Sequence, residues 1–173
     1  MYRTMTRAAL LLALMFIFQS LRLFLPVPAF VSMFVIGSAV NACLLAAVET
    51  AGWQAALLLG LAAPVIACLQ QALPVPVLII PVIAANIFYI AGYKVLLPVN
   101  RWLAVAAAAG LKMAGLYVAV AWLLTFVNIP ANLAVMIKMM LSWPQLITGV
   151  TGGIICFVVL ARRQGGNGRR AGL

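Results

Sequence analysis

Asn41, Asn86 and Lys112 each interrupt a long apolar run near its middle. Among so many apolar neighbours, an amide or ammonium group needs a hydrogen-bonding partner or a wet cavity, because burying an unpaired polar group is costly. Lys112 lies about ten residues beyond Arg101, roughly 15 Å along a helix, too deep for its stem to reach a surface easily. Two roles compete for it: holding a ligand's anionic or carbonyl oxygen inside a cavity, or bonding helix carbonyls as a structural group. Asn41 shares a helical face with Ser38 and Phe34, and Asn86 shares one with Tyr89 and Tyr93. For either asparagine the alternatives are an interhelical hydrogen bond, worth ~0.6 kcal/mol, or a place in a pocket wall. The similar depth of the three residues on three different runs points to a common cavity.

Arg22 and Gln19 form a second candidate pair. They are three residues apart and so lie on one helix face, where they present a fork of donors to an entering solute. Arg22 stands one turn before Pro26, so reaching outward to water accounts for it equally well. The candidate substrate-binding set is therefore Lys112, Asn86, Asn41, Arg22 and Gln19. Gln70 and Gln71 end their run and Gln145 begins another on the same, outer side, and all three read equally as water-facing. Glu49 falls near the level of Lys94 and Arg101, where a salt bridge is a better reading than a proton relay.

Composition limits what these residues can do. Of 173 residues 68% are hydrophobic and 7% charged, and Lys and Arg number 11 against one acid and no histidine, a net charge of +10. Mean hydropathy is +1.24 and the sequence pI about 10.7. A water-soluble fold would have almost nothing polar to present, so the chain reads as an all-α integral membrane protein. Acid–base catalysis needs histidine or paired carboxylates, zinc chemistry needs His, Cys or Asp clusters, and magnesium needs acids. None of these sets can be assembled around Glu49 alone, so the reading is of a protein that is not an enzyme, with no metal and no cofactor. Cys43, Cys68 and Cys156 lie singly in apolar stretches and read as small buried hydrophobes.

Six stretches approach the ~20 residues needed to cross a bilayer: residues 8–25, 30–48, 53–72, 77–96, 102–126 and 145–161. Pro26 and Pro28, then Pro74 and Pro76, stand in two copies of the string LPVP, where the missing N–H and the restricted preceding residue force the chain out of helix. Reuse of a good turn explains the repeated string better than duplication. Pro98 with Asn100, and Thr50 to Gly52, break the chain elsewhere, and Ser142 with Pro144 offers an N-cap and first-turn proline. Residues 131–141 are apolar but too short to span. They predict a short helix on the outer face, with Met136, Met139 and Met140 as adaptable contacts and Lys138 directed to water. Lipid contact and a lid over the cavity are both open for it. Residues 1–163 thus form one compact six-helix membrane domain, and 164–173, rich in glycine, a disordered cytoplasmic tail.

The basic residues set the orientation. Arg3, Arg7, Lys94, Arg101, Arg162, Arg163, Arg169 and Arg170 fall at the ends that six crossings place on one side, which the positive-inside rule makes the cytoplasm. Both termini are then inside, and nucleic acid is not needed to explain the charge. The first run, behind Arg3 and Arg7, reads as an uncleaved helix rather than a signal peptide, since proline at its end leads directly into another span. Arg22, Lys112 and Lys138 are the cations that topology leaves over, and the ligand is expected near them.

This plan of six spans, an outward proline turn after the first and a long outward segment between the fifth and sixth resembles the substrate-binding S component of energy-coupling factor (ECF) transporters. The family's first helix carries an A-x-x-x-A docking motif, which Ala9 and Ala13 match in place. The resemblance covers residues 4–163. It implies a binding subunit in the plasma membrane of a prokaryote, capturing a vitamin or related micronutrient in an outward cavity. Its partners would be a transmembrane coupling subunit and two cytoplasmic ATPases, in keeping with the lack of a P-loop here. With amides and cations in the candidate site and no acid, a neutral or anionic molecule is expected. The alternative is a scaffold subunit resembling the small rod-shape-determining membrane proteins, in which the same polar groups hold helices together and no small molecule binds.

Overall fold

The computed structural model describes residues 2–24, 28–127 and 129–170, with the side chains of residue 29 and of residues 163–170 left aside. The described residues are helical throughout, with no strand. The helices are α1 (Tyr2–Phe24), α2 (Ala29–Thr50), α3 (Trp53–Leu69), α4 (Ile79–Leu96), α5 (Arg101–Leu123), α6 (Ala131–Met140) and α7 (Trp143–Arg170). A single 3-10 turn, Pro76–Leu78, leads into α4.

Helix ends follow local chemistry. Asn100 caps α5, its Oδ1 accepting from the backbone N–H of Trp102 at 2.8 Å and of Leu103 at 3.1 Å, which satisfies two of the donors orphaned at a helix start. Gly52, at φ +91°, supplies the left-handed residue between α2 and α3 that a side chain would strain. Ser142 does not cap α7 with its hydroxyl, which donates instead to the Met139 carbonyl at 3.1 Å. Pro76 opens the 3-10 turn as a proline should, whereas the expected turn at residues 25–27 lies outside the described residues.

Two helices run past the expected spans. The first helix begins at Tyr2 rather than residue 8, because hydrogen bonding carries a helix through polar residues that an apolar count leaves out. Residues 164–170, expected to be disordered, continue α7. Adding a residue to a formed helix costs far less than starting one, which composition alone does not register.

α7 packs extensively against α2 and also against α5. Its glycines permit this. A Cβ on Gly152 would stand 2.6 Å from the Asn41 Cβ and 2.8 Å from the Ser38 carbonyl, and one on Gly153 would stand 2.5 Å from Val105. Gly149 is less tightly placed, a Cβ there standing 2.9 Å from the Ala109 Cβ and 3.5 Å from the Tyr89 ring. Small residues at helix contacts let backbones approach where lipid supplies no hydrophobic drive. The main core, with Leu44, Leu45, Tyr89, Tyr93, Ala104 and Ala108, sits between α2, α4, α5 and α7. A smaller cluster of Leu78, Leu116, Val120 and Ile137 anchors α6.

Among the described residues five segments are long and apolar enough to cross a membrane, the last taking α6 and α7 together. α3 has 17 residues, about 26 Å of helix against ~30 Å of hydrocarbon. Large side chains face outward all round the bundle, among them Leu10, Phe16, Leu58, Val118 and Trp122, and α1 is the least covered helix.

Candidate functional site

The three mid-helix polar residues converge. The Lys112 ammonium donates to Asn41 Oδ1 at 2.5 Å and to Asn86 Oδ1 at 3.0 Å, and the three side chains are buried to 4% exposure or less. Lysine can only donate, so both amides must turn their oxygens to it, and their NH2 groups point away. Asn41 Nδ2 donates to Thr148 Oγ1 at 3.3 Å, and Thr148 donates to the Gln145 carbonyl at 3.3 Å. On the other side, Asn86 Nδ2 donates to the Gly60 carbonyl at 3.0 Å. A continuous chain of hydrogen bonds thus runs from α7 through α2, α5 and α4 to α3.

The last link has a cause in the sequence. An α-helix joins each carbonyl to the N–H four residues on. For Gly60 that residue is Pro64, inside α3 and without an N–H. The orphaned carbonyl is what Asn86 takes up, and Gly60 itself allows the approach, since a Cβ there would stand 2.9 Å from Ile90. Neither Pro64 nor Thr148 stood out as a site residue in the sequence. The signal for the first was a proline within an apolar span with glycine four residues before it. For the second it was a threonine beside the G-x-x-x-G spacing of Gly149 and Gly153.

Lys112, Asn41 and Asn86 line a cavity of about 570 Å³, inside the range of ligand pockets. Its walls come from the end of α1, the start of α2, the end of α3 and its following loop, and the facing parts of α4, α5, α6 and α7. Arg22 and Gln19 line it too, as do Gln70, Gln71 and Gln145, so all five candidate site residues share one chamber. Lys138 does not: it is exposed on α6, away from the cavity lining. α6 serves two surfaces, with Ile137, Met140 and Leu141 closing over the cavity while Val135, Met136 and Met139 are exposed. Met33 and Met140 also line a second, apolar crevice of about 370 Å³ beside Phe30 and Trp143. Two flexible thioethers therefore stand between crevice and cavity.

Gln19 is held by its Nε2, which donates to the Ala63 carbonyl at 3.1 Å. Gln70 Nε2 donates to Ser20 Oγ at 3.0 Å. Gln19 Oε1, Gln70 Oε1 and Arg22 Nε are buried without a hydrogen-bond partner among the described residues.

Glu49 lies at the opposite end. Its carboxylate accepts from Arg101 Nη2 at 2.5 Å and from the Tyr93 hydroxyl at 2.6 Å, which bears out the expected salt bridge with Arg101 as the partner. Lys94 stacks over Trp53 at 4.1 Å instead, and Arg7 donates to the Thr50 carbonyl at 3.0 Å, tying α1 to the end of α2. Ala9 and Ala13 are exposed on α1.

An all-helical chain with five segments fit to cross a membrane and a polar chamber between its helices is compatible with a multi-pass membrane protein. Comparison with protein families, curated proteins and solved structures returns no match, so functional reasoning rests on the chamber itself.

Proposed function

We propose that the chain is the substrate-capturing subunit of an ECF-type, ATP-driven micronutrient importer in a prokaryotic plasma membrane. In this reading α1, α2, α3, α4, α5 and α7 make six crossings with both termini in the cytoplasm. The short α3 completes its crossing with the loop at residues 70–75. α6 lies on the outer face as a cover over the chamber, and a neutral or anionic vitamin-like molecule is held beneath it.

The observation that carries the proposal is the convergence of Lys112, Asn41 and Asn86 on the chamber floor. Helix association alone would be served by any one of these bonds at ~0.6 kcal/mol. Placing an ammonium at that depth costs more than such a bond returns, and a bound ligand offsets the difference. The charge distribution fits the orientation: Arg7, Lys94 and Arg101 gather at the end away from the chamber. Trp53 and Trp102 mark that end and Trp122 and Trp143 the other, as expected of residues at two membrane interfaces.

The exposed Ala9 and Ala13 supply the face for a coupling subunit, since small side chains let a second helix approach closely. Affinity purification from native membranes tests this. Recovery of a coupling protein with two ATPases, lost in Ala9→Trp, is the expected result. Recovery of cell-wall-synthesis proteins, unaffected by Ala9→Trp, would instead identify a scaffold.

A further inference from the structure

Four glutamines line the chamber, and the fold uses them differently. Gln19 donates to the Ala63 carbonyl and Gln70 to Ser20 Oγ, so both are fastened to a neighbouring helix. The side chains of Gln71 and Gln145 have no hydrogen bond among the described residues. Gln71 is exposed as well as lining the chamber, so its amide stands at the rim, where the chamber meets the outside.

The backbone beneath Gln71 is unusual. α3 closes with two turn bonds, from the Ala72 N–H to the Ala67 carbonyl at 2.8 Å and from the Gln71 N–H to the Cys68 carbonyl at 2.9 Å. A helix end closed in this way needs a left-handed residue at the place Gln71 occupies, at φ +54°. Glycine usually fills that place, because a Cβ there crowds the backbone. Gln71 is the one non-glycine residue with positive φ among the described residues. At the far end of α3 the chain does use glycine: Gly52 takes the left-handed position there and lies outside the chamber lining.

Glutamine therefore costs the turn stability and returns nothing to it. Both turn bonds are made by backbone atoms and would form equally with glycine, and the side chain bonds to no other described residue. What the turn does provide is aim, since two backbone bonds pin the Cα from which the side chain leaves. An amide carries both donor and acceptor, so it matches a polar group that gives or takes a hydrogen bond. Gly60 meets the chamber floor through Asn86, and α3 ends at Leu69, ~14 Å further along its axis, so a contact at the rim is separate from those at the floor.

We infer that Gln71 is a substrate-contacting residue: its amide, aimed by the left-handed turn, bonds a polar group of the captured molecule at the chamber rim. The inference rests on the capture reading above and adds a contact to it.

Gln71→Gly and Gln71→Leu test it in the full-length chain. Mass spectrometry reads the yield of non-lipid small molecule released per protein on denaturation, and thermal unfolding is followed on protein washed free of that molecule. Both variants lose the amide, but only glycine relieves the backbone. The yield should fall about fivefold or more in both, the worth of one hydrogen bond. The unfolding temperature should rise by roughly 2–4 °C in Gln71→Gly and stay unchanged in Gln71→Leu. Wild-type yield in both variants would overturn the contact and leave capture intact, with Gln71 serving the turn alone. Loss in only one of the two would overturn it as well, since the missing amide is common to both. A lowered unfolding temperature in Gln71→Gly would also overturn it, because the glutamine would then be stabilising the turn. Release of no compound from the wild-type chain would overturn capture itself.

Discussion

The two ends of the bundle handle charge in opposite ways. At one, Arg101 meets Glu49 and Tyr93 completes the carboxylate's bonds, while Lys94 rests on Trp53 and Arg7 caps α2. Arg101, Lys94 and Arg7 thus have a carboxylate, a ring and a carbonyl as partners. At the other, Lys112 is held by two neutral amides and lies over the Tyr89 ring at 5.1 Å, while Arg22 Nε and two glutamine oxygens have no partner among the described residues. Around Glu49 the groups answer one another; at the other end polar atoms stay unpartnered among the described residues. Polar groups used as helix glue should look like the first end, and polar groups kept for a ligand like the second.

Substitutions at the helix contacts between the two ends should have the largest effect. Gly152→Val sets a branched side chain against the Asn41 Cβ and the α2 backbone, which cannot yield as a flexible side chain does. The expected loss is about 3 kcal/mol or more, read as disappearance of monodisperse protein on size-exclusion chromatography.

Asn86→Leu should come next. It strips Lys112 of an acceptor and re-exposes the Gly60 carbonyl that Pro64 leaves unbonded, at about 2 kcal/mol. A sharper version adds Pro64→Ala, which restores the missing N–H. The double variant should recover about 1 kcal/mol of the stability lost by Asn86→Leu, measured as non-additivity in thermal unfolding. Additive losses would break the link between proline and asparagine.

At the self-contained end effects should be smaller and should not reach the ligand. Glu49→Gln removes a partly exposed ion pair, with Arg101 half-exposed, and should cost about 1 kcal/mol while ligand retention stays at the wild-type level. Arg7→Ala, which loses one exposed bond to the Thr50 carbonyl, should leave both the melting temperature and retention almost unchanged. A ligand lost with Glu49→Gln would erase the contrast between the ends.

The chamber floor was legible because depth can be counted along helices: Asn41, Asn86 and Lys112 fall at one level whatever the rotation of each helix. The order of the helices and the short helix at residues 131–140 followed from apolar length and proline positions. What needed the structure was rotation and partner choice. Nothing in the spacing says that α3 turns Gly60 toward Asn86, that Tyr93 rather than Lys94 completes the Glu49 site, or that Lys138 faces away from the chamber. Those outcomes depend on which faces of α2, α5 and α7 the glycines allow to touch, a property of pairs of helices rather than of any one segment.

The central claim is that Lys112, between Asn41 and Asn86, holds a molecule rather than merely joining helices. Native mass spectrometry of the intact protein, released from nanodiscs made of its own membranes, reads this directly. The wild-type chain should carry one non-lipid small molecule per protein, and Lys112→Gln, folded to the same monodisperse state, should carry none. An identical bound mass in both proteins, or a wild-type chain that carries nothing but lipid, would contradict the claim.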